Sequence, residues 1–394
     1  MTENLRAWWW HRQGLDGSLA GLDPATVLAR TGWARSGGGV NPYLTLFART
    51  GVSRAAVDDE VARLAIHELP SARGCTYVVP ASDYGLALQV GRGAPEADVV
   101  KVGKLGVPRK EIDDLCAAVL AAVAAGPLDP AALKGALGDA VRNLGDAGRK
   151  QGVTTTLPVA LGLLQASGDL RRVPVAGRLD QQRFTYTRWD HPESGLTDEQ
   201  ARMELARRYF AWTGGATPAQ LRWFTGFSAR DAKAAMAELE LVELDGAVPG
   251  ILALPEDAKA YAEFARPARR SYALVAGLDA VLLLRRDLAG LIDPADLDRT
   301  VPGTSRALGR HTDLPDHAIL DRGRLIGLWQ YDVDTERIVW WTFDAAAARD
   351  RALRSEVDRT EAYIRDQVGD ARYVSLDSPK SRAPRIAALR AVGR

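Results

Sequence analysis

Between Val141 and Asp190, eight Arg or Lys residues stand against four Asp or Glu. Their types and spacing fit contact with phosphate. Arg171, Arg172, Arg178, Arg183 and Arg188 lie on or between two runs, LRRVPV and QQRFTYTRW. These read as the strands of a hairpin that turns at Ala176-Gly177. Guanidinium groups on such a ribbon can grip phosphate oxygens bidentately, which positions a protein on a duplex without reading its sequence. Thr154 to Gln165, TTTLPVALGLLQ, reads as a capped apolar helix stopping at Ser167-Gly168, with Thr154 and Thr155 on its first turn and Lys150 just before it. Its N-terminus would offer hydroxyls and free N–H groups to a phosphate. A solvated hairpin face with an ordinary N-cap is the plainer reading of the same residues. The other reactive side chains offer less. Cys75 and Cys116 cannot make a disulfide framework or a zinc site by themselves. His311 and His317, with Asp313 and Asp316 between them, match no standard zinc or facial-triad spacing, so no metal is expected. The run SGGGVN at Ser36–Asn41 lacks the Lys-Ser/Thr of a P-loop and opens no βαβ helix. No nucleotide or other cofactor is expected.

The elements that must position these residues repeat. A helix followed by a two-strand ribbon ends at Trp189. A similar order occurs at Ser53–Pro80, where SRAAVDDEVARLAIHEL leads into RGCTYVVP, and again at Ser228–Leu254, around the turn Asp245-Gly246. Helix plus ribbon, with shorter helices upstream, is the outline of a winged helix. Asp23-Pro24 and Asp129-Pro130 are helix starts, and TDEQ at Thr197 reads as a capping box. Beyond Pro255, SYALVAG, AVLLLRRD, HAILDRGRLIGLWQYD and ERIVWWTF read as strands, followed by a long helix from Ala345 to Gly369. The expected fold is α+β, with three tandem winged-helix motifs followed by a small β-rich, barrel-like C-terminal domain. The expected boundaries are 1–95, 96–190, 191–255 and 256–394. Trp329, Tyr331, Trp340 and Trp341 are expected to fill a sheet face, His11 to pack among Trp8–Trp10, and Asp83 to cap a helix.

Bulk properties bound the function. At 394 residues the chain exceeds one ordinary core, and 46% hydrophobic with 26% charged residues places it among soluble globular proteins. No apolar run approaches the length of a membrane span, and residues 1–20 lack a signal-peptide core, so a reduced cytoplasm is the expected location and no membrane partner is expected. A monomer is expected. The net charge is only +1, so local charge must carry any case for nucleic acid. The tail Ser378–Arg394 holds five basic residues and no acidic one. It reads equally as a DNA-contacting arm or as a helix whose cations suit its dipole.

In order and spacing, RQGL at Arg12–Leu15, PYLTLFAR at Pro42–Arg49, ARGCTYVVPASDY at Ala72–Tyr84, RRVPVAGRLDQQRFTYTRW at Arg171–Trp189 and AILDRGRLIGLW at Ala318–Trp329 form a recognisable series. It resembles the bacterial winged-helix DNA glycosylases of the AlkZ and YcaQ type, which act on alkylated purines and interstrand crosslinks. The resemblance implies double-stranded DNA, alkylated or crosslinked, as partner. It also implies Gln-x-Gln or Gln-x-Asp after a Gly-Leu, shortly before Pro-Tyr-Leu. Here Gly32-Trp33 is followed by Ala34-Arg35-Ser36, and neither position keeps its residue. Hydrolysis of an N-glycosidic bond needs a group that orients or deprotonates water and an answer to positive charge on the sugar. Ala34 offers neither. Ser36 can hold a water but is a poor base without a partner, Arg35 would suit a phosphate, and Asn41 could replace a lost amide if the glycine turn swings it inward.

Arg35, Ser36 and Asn41 are therefore the candidate catalytic residues. Lys150, Thr154, Thr155, Arg171, Arg172, Arg178, Arg183 and Arg188 are the candidate DNA contacts. The expected function is duplex-DNA binding on a repair-glycosylase scaffold, with catalysis weak or lost. The alternatives are a winged-helix transcriptional regulator, or a protein whose winged helices bind only other proteins.

Overall fold

A computed structural model describes residues 2–181, 183–190 and 194–393. Gln182 of the expected second wing strand and the first residues of the expected third unit lie outside that set. The fold is α+β. In the first stretch, α1 (Glu3–Arg12), α2 (Pro24–Thr31), β1 (Ala34–Arg35), α3 (Asn41–Thr50), α4 (Arg54–Ala62), β2 (Ile66–Pro70) and β3 (Thr76–Pro80) follow one another. Asp23 caps α2 ahead of its first-turn proline, as the sequence implies. The helix from Ser53 is shorter than expected. It stops at Ala62, Leu64 takes φ 62°, and IHELP enters the sheet as β2. Ile66, Glu68 and Pro70 take one face of the pleat and His67 and Leu69 the other, so no apolar–polar alternation marks the strand in the sequence.

Six helices and a hairpin come next: α5 (Tyr84–Gly91), α6 (Glu96–Gly103), α7 (Arg109–Ala122), α8 (Pro130–Leu137), α9 (Gly145–Lys150), α10 (Leu157–Ser167), β4 (Leu170–Pro174) and β5 (Phe184–Arg188). Val119, Leu133, Leu161, Leu164 and Leu170 give this unit a core of its own. Then come α11 (Asp198–Thr213), α12 (Pro218–Thr225), α13 (Ala229–Ala237) and a minimal ribbon of β6 (Val242–Glu243) and β7 (Leu252–Ala253). The box expected at Thr197 forms, with Gln200 answering the cap.

The last stretch holds α14 (Pro255–Glu263), β8 (Tyr272–Val275), α15 (Ala280–Leu283), β9 (His317–Asp321), β10 (Arg324–Asp332), β11 (Arg337–Thr342), α16 (Arg351–Tyr363) and α17 (Pro379–Val392). AVLLLRRD is not a strand. Asp279 caps it into the short helix α15 by accepting from the Val281 N–H at 2.9 Å. The sheet is not a closed barrel either: it is open, antiparallel, ordered β11-β10-β9-β8, with β8 and β11 at the edges. It is covered instead by helices. Leu274 and Ile319 face a core shared with Val27, Leu28, Leu44 and Phe47 of the N-terminal helices and Leu353 of α16. Ala273, Val275, Ala318 and Leu320 face the other way, onto Trp8–Trp10 of α1 and Ile386 and Leu389 of α17. Trp329 and Tyr331 are fully buried, in the first of these cores. Three arginines of the basic tail are engaged in docking: Arg382 pairs with Asp370 at 2.7 Å, Arg385 with Asp316 and Arg390 with Asp332.

One buried polar cluster joins the two ends of the chain. Arg49 and Asp279 have side chains 0% exposed and form a two-pronged ion pair at 2.8 and 2.9 Å. Arg49 also donates to the Thr45 carbonyl and the Gln13 side chain. Gln13 in turn donates to the carbonyls of Thr31 and Trp212, both at 2.9 Å. Removing one member strands a charge in the core, whereas removing both charges does not. Arg49→Ala should lower stability by about 3–5 kcal/mol in urea unfolding. Arg49→Met combined with Asp279→Asn, which keeps an acceptor for the α15 cap, should recover most of that loss. Equal losses in the single and double variants would deny the pair this role.

Asp257, near the start of α14, is buried beside Arg12 of α1 at 3.1 Å. Burial pushes its carboxyl up to about 6, against the pull of Arg12. The folded protein therefore holds more protons than the unfolded chain between about pH 4 and 6. This residue's contribution to stability is full below that window and is lost as pH rises through it. Asp257→Asn should flatten the pH dependence of Tm between pH 4 and 6, and an unchanged profile would contradict the assignment.

Candidate functional site

The short strand β1 carries Arg35, one of the three candidate catalytic residues, to the sheet ordered β1-β3-β2, and leads directly into a second, Ser36. Ala34 pairs with Val78 and Arg35 with Tyr77, while Glu68 of β2 is the partner of Val78 on the far side. The Ser36 N–H continues the ladder to the Thr76 carbonyl at 2.9 Å. Directly paired residues share a face and neighbours in sequence alternate. Positions 34 and 36 therefore look to the same side as Val78 and Glu68, the side of the core that holds α3 and α4. Arg35 goes to the opposite side with Tyr77 and Leu69. Its guanidinium lies 5.5 Å from the Tyr77 ring centre, and burial, with a smaller push from Arg73, lowers its pKa. The pleat thus separates Arg35 from Ser36.

Ser36 is 3% exposed, and its hydroxyl donates to Glu68 Oε1. Arg172 of β4 reaches the same oxygen at 3.2 Å, and the Glu68 side chain is 4% exposed. Among the described residues Glu68 Oε2 is buried without a hydrogen-bond partner, as are the Nε atoms of Arg171 and Arg172. These residues border a cavity of about 180 Å³ between the end of α4, β2 and β4, with Ile66 and Tyr84 on its wall. Burial pushes the Tyr84 hydroxyl up to about 12, so it remains a neutral phenol at ordinary pH. Sequence reasoning missed Glu68, because IHELP was assigned to a helix. Residues Ile66–Leu69 carry no apolar–polar alternation, so no local signal marked them as a strand.

Asn41 begins α3, 1% exposed. Its amide donates to the Arg35 carbonyl at 2.7 Å, and its oxygen lies 3.3 Å from the Thr45 hydroxyl, which is also 3.0 Å from Asp279. It holds the β1 backbone and ties it to the buried ion pair. The glycine turn between Ser36 and Asn41 is pinned from the other side. Val40 N–H donates to the Arg372 carbonyl and Ser375 N–H to the Gly37 carbonyl, both at 2.9 Å. A Cβ on Gly39 would sit 2.4 Å from the carbonyl oxygens of Arg372 and Tyr373. Only glycine allows that approach.

The hairpin β4–β5 forms from the expected strands, with Leu170 opposite Arg188 and Arg172 opposite Tyr186, but its last pair is Pro174 and Phe184, so the connection is a loop longer than a tight turn at Ala176-Gly177. Its cations divide into three groups. Arg178 is consumed internally: it forms a two-pronged pair with Asp180 and donates to the Val368 carbonyl at 2.7 Å. Arg171 lies 4.7 Å from the Trp189 ring centre, with its pKa lowered by burial, and Arg172 is held by Glu68. Arg183 and Arg188 are exposed, as is Lys150 at the end of α9, and none of these three has an ion pair among the described residues. The loop beyond Arg178 is not a free wing tip. Leu179 is 1% exposed in the core shared by α3 and the C-terminal sheet, and its N–H donates to the Tyr43 hydroxyl at 2.9 Å. Thr154 and Thr155 sit before α10 rather than on its first turn. Thr154 is exposed, Thr155 bridges to Asn143, and the helix starts after Thr156, whose hydroxyl accepts from the Arg142 N–H. Among the described residues no cluster of three His, Cys, Asp or Glu could hold a metal, and no helix is long and apolar enough to cross a membrane.

Comparison with known proteins fits this arrangement. Among solved structures, the DNA glycosylase AlkZ of Streptomyces sahachiroi is similar to this chain with a TM-score of 0.67 and 19% identity. The match covers 94% of this chain and 97% of that one. At that identity the likeness concerns the fold. No curated protein matches the sequence. The model of the DNA glycosylase AlkZ-like family matches residues 29–363. That span takes in β1, the glycine turn, the β4–β5 hairpin and the open sheet. The chain belongs to the AlkZ-like DNA glycosylase family.

Proposed function

We propose that this protein binds double-stranded DNA and acts at alkylated or crosslinked sites, on a repair-glycosylase scaffold in which the Ala34-Arg35-Ser36 triplet by itself cleaves weakly or not at all. The observation that carries this reading is the family match over residues 29–363 combined with what stands on the shared face of β1. A methyl group at 34 and a hydroxyl at 36 give no amide to fix a water and no carboxylate to take its proton. Arg35, the one charged member, lies on the other face beside Tyr77. Binding is assigned to exposed cations of the second unit, Lys150, Arg183 and Arg188, because cations already neutralised within the chain gain little from a phosphate. Phosphate contact without base contact gives affinity with little sequence preference.

Affinity for a plain duplex and for one holding an N7-alkylguanine should fall steeply with salt. The log–log slope should be about −0.9 for each phosphate neutralised. Replacing Lys150, Arg183 and Arg188 together with Ala should flatten it by about 0.9 for each phosphate left without its cation. Arg178→Ala should leave the slope alone and lower Tm, since that guanidinium braces the hairpin loop. Fluorescence anisotropy at several salt concentrations, with thermal melts alongside, reads both effects. No binding at low salt, or a slope indifferent to the triple change, would sink the proposal.

A further inference from the structure

We infer that Glu68 supplies the carboxylate that positions 34 and 36 of this chain do not, and that Ser36 positions it. The inference rests on the DNA-glycosylase reading above. Four observations converge on it. The pleat puts Glu68 on the same face as residues 34 and 36. The Ser36 hydroxyl donates to Glu68 Oε1, so the motif strand is already wired to this side chain. Arg172 approaches the same oxygen at 3.2 Å, so both partners crowd Oε1. The other oxygen, Oε2, is buried with no partner among the described residues, on a side chain 4% exposed whose residue borders a cavity of about 180 Å³. A carboxylate kept only to balance Arg172 would normally satisfy both oxygens, because an unpaired buried acceptor costs desolvation free energy with nothing returned. An unpaired acceptor on a residue that borders a cavity, with the guanidinium groups of Arg171 and Arg172 on the same wall, gives an entering water polar partners.

The chemistry follows from that water. N7-alkylation makes the purine a cation and a good leaving group. The bond from C1′ to N9 breaks, its electron pair goes to N9, and the base departs neutral. The positive charge left on the sugar is answered by the Glu68 carboxylate. The water oxygen bonds to C1′ and its proton passes to Oε2, leaving a sugar hydroxyl and free alkylpurine. No other reactant is needed. Ser36 and Arg172, both on Oε1, fix the orientation of the carboxylate and leave Oε2 to act, so they are positioning residues.

The test is single-turnover release of N7-methylguanine from a duplex at saturating protein, with the spontaneous rate subtracted and duplex affinity measured alongside. Wild type should release base above background, with a rate that rises with pH as one carboxylate ionises. Glu68→Gln, nearly the same shape, should lose about 10²–10⁴-fold in rate and lose that pH profile while binding DNA as before. Glu68→Asp should keep the profile at a reduced rate. Glu68→Ala should regain part of its rate with added formate, a recovery that a bracing role cannot produce. Ser36→Ala should lower the rate less than Glu68→Gln. Wild-type release no faster than background, with duplex binding intact, would overturn the inference and leave the DNA-binding reading standing. So would a Glu68→Gln rate equal to wild type. Absence of duplex binding would overturn both.

Discussion

The Arg49–Asp279 ion pair is the constraint on which the rest of the structure depends. It joins α3, near the start of the chain, to the cap of α15, beside the C-terminal sheet. Charges this deeply buried need pairing and further hydrogen bonds. Here Thr45 and Gln13 supply them, and Gln13 is itself anchored on main-chain carbonyls of α2 and α11. Each of those groups is placed by its own helix, so the pair can form only when several distant elements have docked correctly. It penalises near-native packings that a purely apolar core would tolerate. Asn41 extends the same network to the carbonyl of Arg35 and so to the strand that carries the candidate site.

That linkage separates where the site stands from what stands in it. The strand around residues 34–36 is held by main-chain hydrogen bonds to β3, by the Asn41 amide and by the close approach of Gly39 to residues 372–373. None of these contacts uses the side chain of Ala34 or Ser36. Side chains at those two positions can therefore change without moving the backbone, and a functional group can be recruited from the neighbouring strand. Glu68 is close enough for this because antiparallel pairing with β3 brings residues far apart in sequence onto one row.

The capped starts at Asp23 and Asp129, the capping box at Thr197 and the two strands of the β4–β5 hairpin were legible in the sequence. Each depends on local chemistry: a cap three residues from an N–H, or alternation over five residues. What stayed illegible was decided by distant partners. Nothing near Arg178 shows that the carbonyl of Val368 will claim it, and the basic tail reads as a DNA-contacting arm until Asp316, Asp332 and Asp370 are seen beneath it. AVLLLRRD is apolar enough for a strand, and only the cap at Asp279 turns it into a helix. Within the site, Ser36 and Asn41 were identified by type, but their partners reversed the emphasis: Asn41 supports the backbone, and Ser36 points to a carboxylate that the sequence had hidden at the end of a presumed helix.

Leu179 buried in the core gives the β4–β5 hairpin a different physical character from a wing that waves in solvent. Its loop is fastened at Arg178, Leu179 and Asp180, to the Val368 carbonyl, the Tyr43 hydroxyl and Arg372. The conformational entropy of ordering that ribbon is thus lost once, during folding, instead of at each encounter with a partner. A surface of this kind associates as a rigid body. It cannot adapt to many shapes, so whatever fits it must already have, or be bent into, the matching contour. If that partner is the duplex proposed above, selectivity would come from its deformability.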